Sequence, residues 1–143
     1  MQFEYRKRTK QQLINSYNRR VNQNLNGFTN FEDFHKWYND QELVCYYCGL
    51  KEIESQKLVM TGLLKSNRFP QNGIIGRGQN RAVWLEVDRL NPKELYTKDN
   101  CVMCCYFCNN DKSDVFGGNE YTNFFQNRVD YLRQILKDNP QNE

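Results

Sequence analysis

The chain has 143 residues, 38% of them hydrophobic and 26% charged, which is enough for one domain with a modest core. Its formal net charge of +3 does not by itself indicate a polyanionic partner. The N-terminus is charged from Glu4 onward, and neither a signal peptide nor a transmembrane run is present. We therefore expect a cytoplasmic protein with no membrane partner.

Two helices are predicted near the N-terminus. Residues 4–24 lack glycine and proline and place apolar residues on one stripe, which predicts the first helix. Residues 29–32 form a capping-box pattern, and the second helix is expected to run from there to about Asn39. His35 and Tyr38 lie three positions apart in this helix, so they project from one side of it.

A compact cysteine segment follows. Residues 43–49 contain Cys45 and Cys48 in the form of a zinc knuckle. Residues 51–65 predict a third helix. Residues 66–80 contain one proline and three glycines and predict a loop that carries Arg68 and Arg77.

The segment from 82 to 113 predicts a strand, a loop, a second strand and a helix. Residues 82–88 alternate in polarity and predict a strand that carries Asp88 at its end. Pro92 lies at the start of a loop, residues 100–104 can return as the second strand, and residues 105–113 can form the helix.

A last helix is predicted over residues 120–138, after the Gly-Gly break at 117–118. Its apolar stripe includes Phe124 and Phe125. We expect it to pack on the core or on a partner subunit.

The six cysteines favour a metal site, since thiols in a reducing compartment seldom form disulfides. One C-x-x-C pair lies in the knuckle, and the pairs at 101/104 and 105/108 have the same spacing. Residues three apart in a strand point to opposite faces, whereas at a helix start they converge. We therefore predict one structural Zn²⁺ held by Cys45, Cys48, Cys105 and Cys108, with no position left for water. Two pairs of disulfides are the alternative.

The order of these residues resembles a known motif. Asp88-Arg89, then Asn100, then Cys105-Tyr-Phe-Cys108-Asn109 is similar to the HNH, or ββα-metal, endonuclease motif, and most similar to that of a rare-cutting restriction enzyme. The resemblance implies an α+β fold with a small ββα-metal core and a structural four-cysteine zinc site, flanked by N- and C-terminal helices. The single domain 1–143 would divide into N-terminal helices (1–42), the zinc-stapled ββα region (43–116) and a C-terminal helix (117–143).

The resemblance also implies roles for single residues. Asp88 and Asn109 would bind a catalytic divalent cation, Mg²⁺ or another, and Asn100 would pin the loop. Taken singly, Asp88 could instead form a salt bridge with a neighbour such as Lys112, and Asn109 could cap the helix.

The group that activates water has two candidates. Many members of the family have a histidine where this chain has Arg89, and a guanidinium cannot accept a proton, so Arg89 is predicted to clamp a phosphate. The resemblance implies Tyr38 as the activator, although a phenol needs nearby cations to lower its pKa. His35, the only histidine, is the other candidate.

Basic residues near these positions are expected to contact DNA. They are Lys112, Arg77, Arg81, Arg19 and Arg20. The implied function is metal-dependent hydrolysis of double-stranded DNA, by a type II restriction enzyme that cuts a palindromic site as a homodimer. The resemblance also implies that the protein is encoded by a bacterium or a phage. A homing, nicking or junction-resolving nuclease has the same motif, and a non-catalytic zinc-stabilised DNA-binding module is an alternative from another class.

Overall fold

The computed structural model describes residues 3–113, 115–122 and 126–140. These residues form two strands and six helices, which confirms the α+β class. In chain order the elements are α1 (Lys10–Asn22), α2 (Phe31–Asn39), α3 (Glu52–Met60), β1 (Glu86–Arg89), β2 (Cys101–Cys104), α4 (Tyr106–Lys112), α5 (Gly118–Tyr121) and α6 (Gln126–Asp138). None of the described helices has the length and apolar character needed to cross a bilayer.

The two strands form an antiparallel hairpin, and α4 follows directly and packs on β1. Glu86 pairs with Cys104, and Asp88 pairs with Val102. The first strand begins four residues later than predicted. Side chains of α3 bind the backbone at 82–85 instead. For example, Ser55 donates to the carbonyl of Ala82 at 2.7 Å. The predicted strand, loop, strand and helix order is otherwise present.

Helix α3 is buried along most of its length, which its sequence did not indicate. Glu52, Ser55 and Gln56 are buried in it and bond to backbone groups of other segments. The Gln56 side chain accepts from the amide of Arg6 and donates to its carbonyl, at 2.8 and 3.0 Å. The helix ends at Met60, five residues before the predicted end, because Gly62 adopts a left-handed φ of 75°.

The chain before α1 has no regular secondary structure, so the prediction of a helix from residue 4 is wrong at its start. Thr9 caps α1 through a capping box with Gln12, in which each side chain bonds the other residue's amide. Helix α2 agrees with its prediction within one residue, with Asn30 as the cap. The two helices share an aromatic cluster in which Tyr17 and Phe28 contact Phe34.

The C-terminal part contains α5 and α6 where one helix was predicted. The predicted stripe residues Phe124 and Phe125 lie outside the described residues. Val129 and Leu132 of α6 are buried, so this helix packs on the core of its own chain.

Candidate active site

Four buried thiols form one cluster, as the sequence predicted. The Sγ atoms of Cys45, Cys48, Cys105 and Cys108 all lie within 4.8 Å of one another. The Cys48 and Cys105 sulfurs are 3.8 Å apart. Tetrahedral zinc with Zn–S bonds of ~2.3 Å requires sulfurs roughly 3.8 Å apart. The quartet therefore fits a metal ion such as zinc. No disulfide joins the six cysteines, all of which are described and buried.

Local backbone geometry brings the two pairs together. Gly49 follows the knuckle with a φ of 77°, which lets the chain reverse, and the amide of Cys45 bonds the carbonyl of Leu50 at 2.8 Å. Cys105 is the N-cap of α4, and its sulfur accepts from the amide of Cys108. Cys101 and Cys104 lie in β2, and burial raises the pKa of Cys101 to about 12.

Helix α6 also reaches the thiol cluster. Arg128 donates from Nη2 to the sulfur of Cys108 at 3.3 Å and to Asp111 at 2.7 Å. A guanidinium beside thiolates offsets part of their negative charge. This contact was not predicted, because nothing in the local sequence pattern of α6 indicates which residue faces the knuckle.

Asp88 lies in the interior at 7% exposure. Its Oδ2 accepts from the hydroxyl of Tyr47 at 2.8 Å and forms an ion pair with Lys112 at 3.2 Å. Lys112 is 1% exposed and also donates to the carbonyl of Arg89. Burial, and then the charge of Asp88, raise the pKa of Tyr47. Asp88 thus joins the knuckle, the hairpin and α4, and the burial of Lys112 favours this structural role over the predicted phosphate contact.

Asn109 meets a different carboxylate. Its Nδ2 donates to Oε1 of Glu86 at 2.6 Å, and the other oxygen of Glu86 is 3.4 Å from Arg81. Glu86 lies two residues before Asp88, so in a strand both side chains point to one face. Among the described residues no contact joins Asp88 to Asn109. The structure therefore brings Asn109 to Glu86, a contact that was not predicted.

A cavity of about 450 Å³ opens above this pair. Glu86 and Asn109 line it together with Trp84 and Tyr96, and four arginines supply most of its charge. These arginines are Arg8, Arg19, Arg20 and Arg81, and the last three are named above as predicted DNA contacts. Arg77, another predicted contact, lies apart from the cavity, exposed in the loop between 66 and 80.

One solved structure has a similar arrangement of elements. It is the rare-cutting HNH restriction endonuclease PacI, with a TM-score of 0.61, 22% sequence identity and coverage of 83% of this chain and 75% of that one. The chain therefore has an HNH-like fold. No protein-family model matches it, and no curated protein matches its sequence.

Within the HNH-like fold, the loop between the strands is held by Asn100. Its Nδ2 donates to the carbonyls of Asn91 and Leu95, and its Oδ1 accepts from the amide of Asn91 at 2.9 Å. Arg89 reaches into the same loop, donating to the carbonyl of Glu94 at 3.1 Å. These bonds fix the chain between β1 and β2.

The two predicted water activators lie on α2, and neither lines the cavity. Tyr38 is 5% exposed, and its pKa is raised to about 12, first by burial and then by the charge of Glu52. The nearby charge of Arg8 lowers that pKa only in part. His35 is half-buried and stacks on Phe31, with ring centroids 5.2 Å apart.

Proposed function

We propose that the chain is a metal-dependent endonuclease that hydrolyses phosphodiester bonds in double-stranded DNA. The observation that carries this proposal is the Glu86–Asn109 pair at the wall of a cavity whose other charged residues are arginines. Oxygen ligands beside clustered guanidinium groups suit a hard cation and a phosphodiester. The HNH-like fold supports the same class of activity.

The ligands of the cation are proposed to be Asn109 and a carboxylate of β1. Asp88 was the predicted carboxylate, but Tyr47 and Lys112 occupy its oxygens, whereas Glu86 already contacts Asn109 and opens to the cavity. We therefore assign Glu86 and Asn109 as the ligands. A bound Mg²⁺ would offset charge on the phosphate and on the leaving oxygen.

The remaining residues would position the substrate. Arg81, 3.4 Å from Glu86, orients that carboxylate, and the predicted DNA contacts Arg19, Arg20 and Arg77 are proposed to bind the backbone. Arg89 is held by the loop and by the ring of Tyr96, 4.8 Å from its guanidinium, so a phosphate-clamping role requires DNA to reach that loop.

For the proton acceptor, Tyr38 and His35 remain the predicted residues. Burial of Tyr38 works against it, because a group with a pKa of about 12 is almost fully protonated at neutral pH. We propose that Tyr38 instead has a packing role in the interior, where its ring centroid lies 6.2 Å from that of Phe34. His35 is accessible, but a DNA-bound state would have to bring it to the cavity.

The biological setting is proposed to be restriction. A type II enzyme would cut a palindromic site as a homodimer, because two copies of one centre cut both strands. The cytoplasm is the proposed compartment, since reduced thiols are needed to bind zinc. A homing, nicking or junction-resolving nuclease would use the same catalytic residues.

A non-catalytic, zinc-stabilised DNA-binding module is the second candidate. It is favoured by the buried ion pair of Asp88 and Lys112, which uses the motif's carboxylate for structure. In that case the cavity would bind the DNA backbone without hydrolysing it.

Cleavage of supercoiled plasmid in Mg²⁺ separates these functions. A restriction enzyme yields discrete linear fragments and a nicking enzyme yields open circles. A binding module leaves the plasmid intact. The control is Asn109→Ala, which should abolish cleavage if the proposed centre performs it, while retained zinc shows that the fold persists.

A further inference from the structure

Arg68 is an exposed arginine whose side chain is held by two uncharged acceptors on α4. Its Nη1 donates to the hydroxyl of Tyr106 at 2.7 Å and to Oδ1 of Asn110 at 3.4 Å. The side chain of Tyr106 is buried, so its hydroxyl is a fixed acceptor. An exposed arginine ordinarily samples many rotamers, and ordering it in advance lowers the entropy that a ligand must overcome.

The backbone at Arg68 is fixed as well. Its carbonyl accepts from the amide of Arg81 at 3.1 Å, which closes the base of the loop, and its amide donates to the hydroxyl of Ser66. The next residue, Phe69, is buried, and its ring centroid lies 5.9 Å from that of Tyr106. The loop therefore presents Arg68 in a defined position beside α4.

The guanidinium of Arg68 keeps one edge and its charge available. Both bonds to α4 use Nη1, and within the described ranges neither Nε nor Nη2 has a hydrogen-bond partner. No carboxylate among the described residues forms an ion pair with it. Two parallel donors on one edge of a guanidinium can bind two acceptors at once. Arg68 can therefore bind a ligand that offers a pair of acceptors.

Arg68 lies beside the proposed catalytic centre but outside its cavity. Asn110, which it contacts, directly follows the proposed cation ligand in α4, and successive helical residues point about 100° apart. Arg81 lies between the two places, since its guanidinium carbon is 4.9 Å from the ring centroid of Tyr106 and its Nη2 is 3.4 Å from Glu86. A duplex with a phosphodiester in the cavity would therefore have a groove next to Arg68.

We propose that Arg68 is a specificity-determining residue that binds the acceptor edge of a guanine near the cleaved phosphodiester. That the ligand is DNA rests on the proposed function. Guanine presents its O6 and N7 acceptors side by side in the major groove, and one arginine binds both. A mobile cation such as lysine is sufficient for a phosphate, whereas a base edge requires an oriented guanidinium. Tyr106 and Asn110 provide that orientation.

The test selects bound duplexes from a pool of random sequence, without added divalent cation, so that cleavage plays no part. The bound duplexes are sequenced, and the base preference at each position is compared between variants. Arg68→Lys keeps the positive charge but removes the planar fork. The matched control is Arg133→Lys, the same substitution at an exposed arginine of α6 that donates to the carbonyl of Cys48.

Arg68→Lys should lose the preference for guanine at one base pair, or at its symmetric pair in a palindromic site, and keep the other preferences. A bidentate arginine discriminates against the wrong base by roughly 5- to 150-fold, and this ratio should fall to near one. The slope of log affinity against log salt should not change, because the charge remains. Arg133→Lys should keep every preference.

Two results would overturn the proposal. One is a preference that survives at every position in Arg68→Lys. The other is an equal loss of affinity for all sequences in that variant, which would make Arg68 a backbone contact.

Tyr106→Phe tests how Arg68 is oriented. The variant removes the hydroxyl but keeps the ring that packs on Phe69, so it should weaken the same single preference and leave the others unchanged. A hydroxyl with only a structural role would change stability and not the preference at one base pair. An unchanged preference would overturn the positioning role of Tyr106.

The inference and the nuclease fail separately. Sequence-selective binding without plasmid cleavage would refute the nuclease and leave the role of Arg68. Plasmid cleavage together with an unchanged preference in Arg68→Lys would refute that role and leave the nuclease. An unaltered chain that binds no duplex, or that binds all sequences equally, would also refute the role of Arg68.

Discussion

The hydroxyl of Tyr47 donates to the carboxylate of Asp88 at 2.8 Å, across 41 positions of sequence. Tyr47 lies between the two knuckle cysteines, and Asp88 lies in β1. The thiol cluster is therefore linked to the hairpin by a hydrogen bond as well as by its metal ligands. Lys112 completes the link to α4 from the other side of the carboxylate.

Removing that hydroxyl should destabilise the protein. Tyr47→Phe leaves Asp88 buried with one partner fewer, at an expected cost of about 1 to 3 kcal/mol. Chemical denaturation measures the change. Tyr46→Phe is the matched control, because this neighbouring ring is 59% exposed, and it should be close to neutral. Equal stabilities of the two variants would show that the bond contributes little.

Removing zinc should unfold the hairpin and α4. The quartet would bind one Zn²⁺ per chain, and a strong chelator should abolish the cooperative unfolding transition rather than only inhibit the protein. Cys105→Ser should lower the zinc content to near zero, measured by elemental analysis. Cys101→Ser removes a buried thiol outside the quartet and should retain the metal. Zinc loss in both variants would contradict the assignment.

The two carboxylates of β1 should behave differently. Glu86→Gln keeps an oxygen beside Asn109 but removes the charge, so plasmid cleavage should be lost with stability near that of the unaltered chain. Asp88→Asn leaves Lys112 buried without its counter-ion, which should destabilise the fold by about 3 kcal/mol or more.

The exposed Asp99→Asn is the charge-matched control for both. A folded, inactive Asp88→Asn protein together with an active Glu86→Gln protein would return the ligand role to Asp88. Unfolding temperature and cleavage must be measured on the same samples, because a destabilised variant also loses activity.

The Tyr38→Phe variant tests whether Tyr38 accepts a proton during cleavage. It should also change how the stability of the protein depends on pH. Because the folded pKa of about 12 exceeds the unfolded value of about 10, the phenol contributes stability that is complete below pH ~10 and lost as the pH rises through ~12. The Tyr38→Phe variant should not show this loss of stability as the pH rises from ~10 through ~12, measured by circular dichroism. It should also retain cleavage near neutral pH. A folded variant with cleavage lowered by about a hundredfold or more, the scale of a lost general base, would restore Tyr38 as the activator.

Local patterns in the sequence determined most of the elements. The spacing of Cys45 and Cys48, and of Cys105 and Cys108, was sufficient to predict the quartet, because chelation at a helix start depends on neighbours in the chain. The hairpin and α4 followed from alternation and from residues that favour turns. Capping at Thr9 was overlooked, so α1 was predicted too long.

Only the tertiary structure decided which carboxylate contacts Asn109. Glu86 and Asp88 share one strand face, and the sequence alone does not indicate which of them contacts the residue after Cys108. The answer depends on how α4 crosses β1, which places Asn109 at Glu86 and Lys112 at Asp88. The cavity is likewise a tertiary feature, since Arg8 and Arg20 reach it only because Gln56 holds the first segment and Phe34 and Tyr96 hold the guanidinium. Long-range packing fixes these contacts, and no spacing in the chain encodes them.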